Sequence, residues 1–183
     1  MNNVTRVLNE NGADEGRAAG DILPLVYEEL RKLARARMAH ELPSHTLQAT
    51  ALVHEAYLRL AGPEQPPWAS RAQFFAAAAE AMRRILIDHA RHRRAQRHGG
   101  GQERVPFDAL AIAAPGDDDE LIAVNDALEK FNAREPAKAE LVKLKYFAGM
   151  TTREAADILG ISEPTAKRQW AYARAWLFRE IKR

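Results

Sequence analysis

The chain has 183 residues, 46% hydrophobic and 28% charged, with a formal net charge of +2 and no cysteine. That length fits one large or two small domains, and the lack of cysteine excludes a disulfide framework and any thiolate metal site. The N-terminus has no apolar core of signal-peptide length, and no uncharged apolar run approaches the roughly 20 residues needed to cross a bilayer, so a cytoplasmic chain without membrane insertion is expected.

In chain order, residues 1–20 read as an N-terminal tail. After Asp21, a plausible N-cap, Leu23, Val26, Leu30 and Leu33 recur at helical spacing. A second helix is predicted from about Leu47 to Leu60, with Ala49, Val53, Ala56, Tyr57 and Leu60 on one face. The stretch 61–70 carries three prolines and a glycine and must be a loop. A long third helix starts near Arg71, with Phe75, Ala78, Ala79, Met82, Ile85, Leu86 and His89 as its buried stripe. Arg84, Asp88 and Arg91 are spaced to pair on another face. It runs out through an arginine-rich end and stops at Gly99-Gly100-Gly101, where three glycines end a helix and begin a flexible link.

Residues 99–120 read as a linker that includes the acidic run Asp117-Asp118-Asp119-Glu120. A helix from about Leu121 to Asn132 follows, and another from about Pro136 to Ala148, with Leu141, Leu144 and Ala148 inward. The expected fold is all-α: two small helical domains, 21–98 and 121–183, joined by the flexible linker.

Charge is unevenly placed. Residues 71–98 hold seven arginines against Glu80 and Asp88, a local charge of +5. Residues 101–140 sum to −6, and residues 163–183 to +4. Two basic blocks that suit a phosphate backbone thus flank an acidic middle that should avoid it.

The stretch Thr151 to Trp170 reads as a helix-turn-helix, which lays its second helix in the DNA major groove. Thr151 and Glu154 have capping-box spacing. Ala155, Ile158 and Leu159 face inward, and Ala156 is small where helices meet. Gly160 marks the turn, Ile161 plugs the gap, and Ser162 caps the second helix, with Pro164 in its first turn. Ala166, Trp170, Ala173 and Leu177 form that helix's inner stripe. Glu163, Thr165, Lys167, Arg168 and Gln169 point outward near its start and suit base edges or phosphates; Arg174 and Arg179, further along, suit backbone contact. A plain helical hairpin with a solvated basic face is the bland alternative.

The upstream strings Ala51-Leu52-Val53-His54-Glu55-Ala56-Tyr57-Leu58-Arg59-Leu60, Arg71-Ala72-Gln73-Phe74-Phe75 and Met82-Arg83-Arg84-Ile85-Leu86-Ile87-Asp88-His89-Ala90-Arg91 narrow the choice. With the helix-turn-helix they resemble the extracytoplasmic-function (ECF) sigma factors of bacterial RNA polymerase. The likeness covers about residues 20–98 and 120–182. It implies a sigma factor that binds core RNA polymerase and directs promoter-specific initiation. The first domain would dock on the clamp helices of the largest subunit and open the −10 element. The second would read the −35 element and touch the flap of the second-largest subunit. Promoter DNA and core polymerase are the implied partners, and an anti-sigma factor is a further candidate.

The resemblance also assigns residues. Gln48, His54, Glu55 and Arg59 fall in the polymerase-docking helix, where relatives carry several acids and this chain has Thr50 and Ala51. Trp68, Ser70, Arg71 and Gln73 fall where an unpaired −10 base is captured; aromatic and polar groups suit that task. Trp68 packing as a loop anchor, and His54 as an ordinary surface histidine, remain open. Arg83, Arg84, Arg91, Arg93, Arg94 and Arg97 form a ridge where the family contacts promoter DNA. Ala77 and Ala79 stand where many relatives have Trp and Tyr, which leaves strand separation to fewer aromatics or to Phe74 and Phe75. The −35 contacts would be Glu163, Thr165, Lys167, Arg168, Gln169 and Arg174.

Two other classes compete. A DNA-binding regulator with a helical sensor domain would share the helix-turn-helix but lack the docking segment. An enzyme would need a site constellation: His89 and His92 beside Asp88 lack a third ligand, and Gly99-Gly100-Gly101 lacks the lysine of a phosphate loop. No catalytic residue, cofactor or metal site is therefore assigned.

Overall fold

The computed structural model describes residues 27–34, 46–60, 70–98 and 118–183, with side chains for all of these except 46–49, 71 and 96–98. The described residues are helical with short turns and contain no strand, which is the all-α architecture expected from the pattern of apolar residues.

The N-terminal half contains α1 (residues 27–34), α2 (Thr46–Leu60) and α3 (Arg71–His98). Leu30 and Leu33 of α1 and Val53, Ala56 and Leu60 of α2 are buried as their spacing predicts, joined by Leu52. Tyr27 and Tyr57 meet edge-on, with ring centroids 5.9 Å apart, and tie α1 to α2. Ser70 begins α3: its hydroxyl accepts from the Gln73 amide at 3.2 Å, and its carbonyl accepts from the Phe74 amide at 3.1 Å.

The C-terminal half contains α4 (Asp118–Arg134), α5 (Pro136–Val142), α6 (Thr152–Leu159) and α7 (Glu163–Ile181). Helix α4 starts three residues earlier than expected, because Asp118, Asp119 and Glu120 are its first turn rather than linker. Carboxylates there are favoured by the orphan amides and the positive end of the helix dipole. Pro136 opens α5 where it forfeits no hydrogen bond. Helix α5 continues into a π turn, Lys143–Phe147, whose wider coil is closed by the Ala148 amide donating to the Lys143 carbonyl at 3.2 Å. Gly149, at φ 71°, then turns the chain. Leu141, Leu144, Phe147 and Ala148 are all fully buried, as the inward assignment of Leu141, Leu144 and Ala148 predicts.

Phe131 is the anchor of this half. It is 0% exposed and meets Trp176 at 5.0 Å and Tyr172 at 6.2 Å between ring centroids, joining α4 to α7.

The two halves share one apolar core. Helix α3 packs against α2 and also against α4 and the π turn. Its buried set is therefore wider than the single predicted stripe: Phe74, Ala81, Ile87 and Ala90 are buried as well, while His89 sits at the edge. The predicted pairing of Arg84, Asp88 and Arg91 on one face does not form. Arg84 instead binds Glu80 at 2.8 Å, Asp88 lies 3.6 Å from Arg59, and Arg91 lies 3.7 Å from Asp126.

A polar hub fastens the junction. Arg83 binds Glu80 at 2.8 Å, Glu129 at 2.6 Å and the Asn125 side-chain carbonyl, while Lys143 lies 3.5 Å from Glu80. Burial alone would raise the Glu80 carboxyl. Hydrogen bonds from Arg83 and Arg84 and the charges of Arg83 and Lys143 outweigh that and lower its pKa from 4.5 to about 2.

Truncating Phe131→Ala should cost about 3–5 kcal/mol in denaturant unfolding, whereas Phe178→Ala, at a residue 61% exposed, should stay within about 0.5 kcal/mol. Because the Glu80 pKa is depressed on folding, its contribution is fully present above about 4.5 and lost as pH falls toward about 2. The stability gap between wild type and Glu80→Gln should therefore narrow across that acid window; a constant gap would show that the charge of Glu80 contributes nothing.

Candidate nucleic-acid interface

The helix-turn-helix is wired locally as its sequence predicts. The Thr151 hydroxyl accepts from the Glu154 amide at 3.2 Å, and the Glu154 carboxylate accepts from the Thr151 amide at 2.9 Å, completing the capping box. Gly160 takes φ 65°, ψ 30°, and the Ile161 amide donates back to the Ala156 carbonyl at 3.1 Å, which closes the C-terminus of α6. The Ser162 hydroxyl accepts from the Thr165 amide at 3.3 Å and starts α7.

Ala155, Ala156, Ile158, Ala166, Ala173 and Leu177 are buried. Leu159 and Trp170, expected as core, are only partly buried at its rim, and Trp176, not assigned from sequence, is buried instead. The Lys145 ammonium lies 5.0 Å from the Trp170 ring centroid and donates to the Thr152 hydroxyl at 2.8 Å, linking the π turn to both helices of the motif. Burial lowers the Lys145 pKa, against the charge of Glu154.

The outward residues lie in the first two turns of α7, with Arg174 further along. Lys167, Arg168 and Arg174 are exposed, and Glu163, Thr165 and Gln169 are partly so. Lys167 binds Glu163 at 2.8 Å, and the hydrogen bond from Lys167 with its charge draws the Glu163 carboxyl below its usual range. The Arg168 guanidinium donates to the Thr165 hydroxyl at 3.2 Å, and that hydroxyl also meets Ser162 at 2.9 Å. The helix cap thereby helps hold a side chain aimed outward.

The second basic surface, on α3, is differently placed. Besides Arg83 and Arg84 in the hub, Arg93 grips Asp118 through two guanidinium nitrogens at 2.6 and 3.2 Å. Arg94 lies 3.2 Å from Asp119, and Arg91 lies 3.7 Å from Asp126. Each of these five arginines is therefore within ion-pair distance of a carboxylate. A polar cleft of about 300 Å³ lies beside the hub, lined by Glu80, Arg83, Arg84, Leu128, Glu129, Asn132 and Lys143.

On α2, His54 is exposed. Glu55 accepts from Arg59 at 2.9 Å and meets the His89 ring at 3.2 Å, so it braces α2 against α3. Leu58, 58% exposed, shares the outward face with His54 four residues earlier. Sequence reasoning passed over Leu58, although its position off the buried stripe was a usable signal. Phe178, Tyr172 and Ile181 of α7 are likewise large, apolar and exposed.

Gln73 is exposed beside Ser70. Trp68 and Arg97 lie outside what is described, Trp68 with its whole residue and Arg97 with its side chain; the side chains of Gln48 and Arg71 lie outside it too. Phe74 and Phe75 are core residues whose ring centroids are 5.1 Å apart, so neither is presented to a DNA strand. Among the described residues, no group of three or more metal-ligating side chains could hold an ion, and no helix is long and apolar enough to cross a membrane.

A family model described as ECF sigma factor matches residues 1–183. No curated protein and no solved structure matches the chain.

Gly160 has open space where a Cβ would sit, so replacement there is opposed by conformation alone. Gly160→Ala should cost about 1–2 kcal/mol of stability, and Gly160→Asn less, as read from thermal or denaturant melting. An Ala variant as stable as wild type would show that the left-handed turn is not required.

Proposed function

The chain belongs to the ECF sigma factor family, and from that premise we propose how its parts divide the work of transcription initiation. As a member of that family it is a DNA-binding sigma factor that directs initiation by RNA polymerase at promoters. In our reading, α7 lies in the major groove of the −35 element. Thr165, Lys167, Arg168 and Gln169 reach bases or nearby phosphates, Glu163 orients Lys167, and Arg174 meets the backbone. The observation that carries this reading is the exposed, cap-braced start of α7.

The N-terminal half docks on the clamp helices of the largest polymerase subunit through the outward face of α2. His54 and Leu58 are its centre, and Glu55 and Arg59 fix its angle to α3. The low charge of that face makes docking lean on apolar contact. The start of α3 and the loop before it, with Trp68, Ser70, Arg71 and Gln73, receive the −10 strand, and the arginines of α3 hold its phosphates. The C-terminal half meets the flap of the second-largest subunit. The protein acts in the cytoplasm, where polymerase works, and supplies recognition rather than catalysis.

Purified protein should bind bacterial core polymerase and support run-off transcription from a subset of genomic fragments. Lys167→Ala and Arg168→Ala should each weaken discrimination of the −35 sequence, a base contact being worth about 1–3 kcal/mol. Failure to bind core polymerase beside a control sigma factor would defeat the reading. Equal transcription from intact and scrambled −35 elements would remove α7 from its role.

A further inference from the structure

Two neighbouring residues of α3 reach across to α2. His89 Nε2 lies 3.2 Å from Glu55 Oε2, and Asp88 lies 3.6 Å from Arg59. Glu55 Oε1 in turn accepts from Arg59 at 2.9 Å. His89, Glu55, Arg59 and Asp88 thus form one polar chain that leaves α3, crosses to α2 and returns. A carboxylate only accepts, so the hydrogen between Glu55 and His89 sits on Nε2. Glu55 gives both its oxygens to partners within the protein, although the family likeness places it among the polymerase contacts.

Where this chain sits on α2 matters more than its strength. Leu52, Val53, Ala56 and Leu60 are buried, and His54 and Leu58 point outward. At about 100° per residue, Glu55 and Arg59 fall on the flank between those two faces. On the opposite flank Tyr57 meets Tyr27 of α1. Apolar packing sets how deep α2 sits but is non-directional. Hydrogen bonds are directional, so ties along one flank select a single roll of the helix about its axis. A roll of roughly 20° would carry a side chain some 5–6 Å from the axis through about 2 Å. The histidine end of the chain is only 14% exposed, so water competes least there.

We propose that His89 is a positioning residue for polymerase docking, acting through Glu55 to fix the roll of α2 that presents His54 and Leu58. This rests on the reading of that outward face as the docking surface. Asp88 and Arg59 close the far end of the same chain. Glu55 and Arg59 are then engaged within the protein, and the polymerase meets the face they orient rather than their charges.

The brace is tested first in the free protein. With no native cysteine, the full chain carrying Leu58→Cys/Ala95→Cys, both at exposed positions, can be spin-labelled selectively. Adding His89→Ala should broaden or shift the distance between the labels by about 2 Å, the displacement expected of a freed roll. His89→Gln, which places an uncharged N–H donor near the same point, should keep the wild-type distribution. An unchanged distribution in a folded His89→Ala chain would overturn the brace. Should His89→Ala not fold, Glu55→Ala, at a residue one-third exposed, carries the same expectation.

The consequence is tested as affinity of the unlabelled chain for core polymerase. His89→Ala and Glu55→Ala should each weaken binding by roughly three- to tenfold, and the double variant no more than either alone, because both remove one brace. His89→Gln should bind like wild type. Multiplied losses in the double variant would show that Glu55 meets the polymerase directly, and would overturn the proposal. So would full affinity in a His89→Ala chain whose label distances have moved. Failure of wild type itself to bind core polymerase would instead defeat the functional reading.

Discussion

Helix α3 must satisfy two neighbours at once, and most of what distinguishes this molecule descends from that constraint. One side of the helix buries aromatic and aliphatic side chains with α2, and another meets α4 and the π turn. A guanidinium drawn into such a junction cannot be left unpaired, because its desolvation has to be repaid by good geometry and several acceptors. Arg83 has these in Glu80, Glu129 and Asn125, and Lys143 supports Glu80 from the π turn. The hub makes the junction specific more than it makes it strong. It fixes which turn of α3 lies against which turn of α4, and so which arginines face which acids further along.

The two basic surfaces consequently have different standing. On α7 the cations lie at the start of a helix whose cap, turn and inner stripe are fixed within about twenty residues of chain, and they remain open to solvent. On α3 the cations lie against the opposite half of the chain. Exposed pairs such as Arg94–Asp119 are individually weak, in the range of about 0–1 kcal/mol. Leu58 on α2 and Phe178 on α7 are large, apolar and exposed.

Sequence reasoning succeeded where the governing contacts are close along the chain. The capping box at Thr151 and Glu154, the left-handed Gly160 and the Ser162 cap each involve partners within a few residues, so residue type and spacing suffice. The buried faces of α1, α2 and α5 followed from helical periodicity for the same reason. It fell short on α3. A search for partners at one helical turn coupled Arg84, Asp88 and Arg91, but Arg91 meets Asp126, and Arg93 meets Asp118 twenty-five residues away. The acidic run at 117–120 reads as linker from the sequence. Packing against α3 and the pull of a helix N-terminus instead draw Asp118 to Glu120 into α4.

The amino-acid sequence by itself determined the all-α class, the helix-turn-helix and the family, because each is carried by local periodicity, capping chemistry or an ordered string of residues. Only the tertiary structure decided what the charges do. Whether an arginine is a solvated cation or a structural tie depends on what the opposite half of the chain places within about 4 Å of it. Such distances arise from the packing of α4 against α3, between residues that the sequence separates by up to forty-six positions.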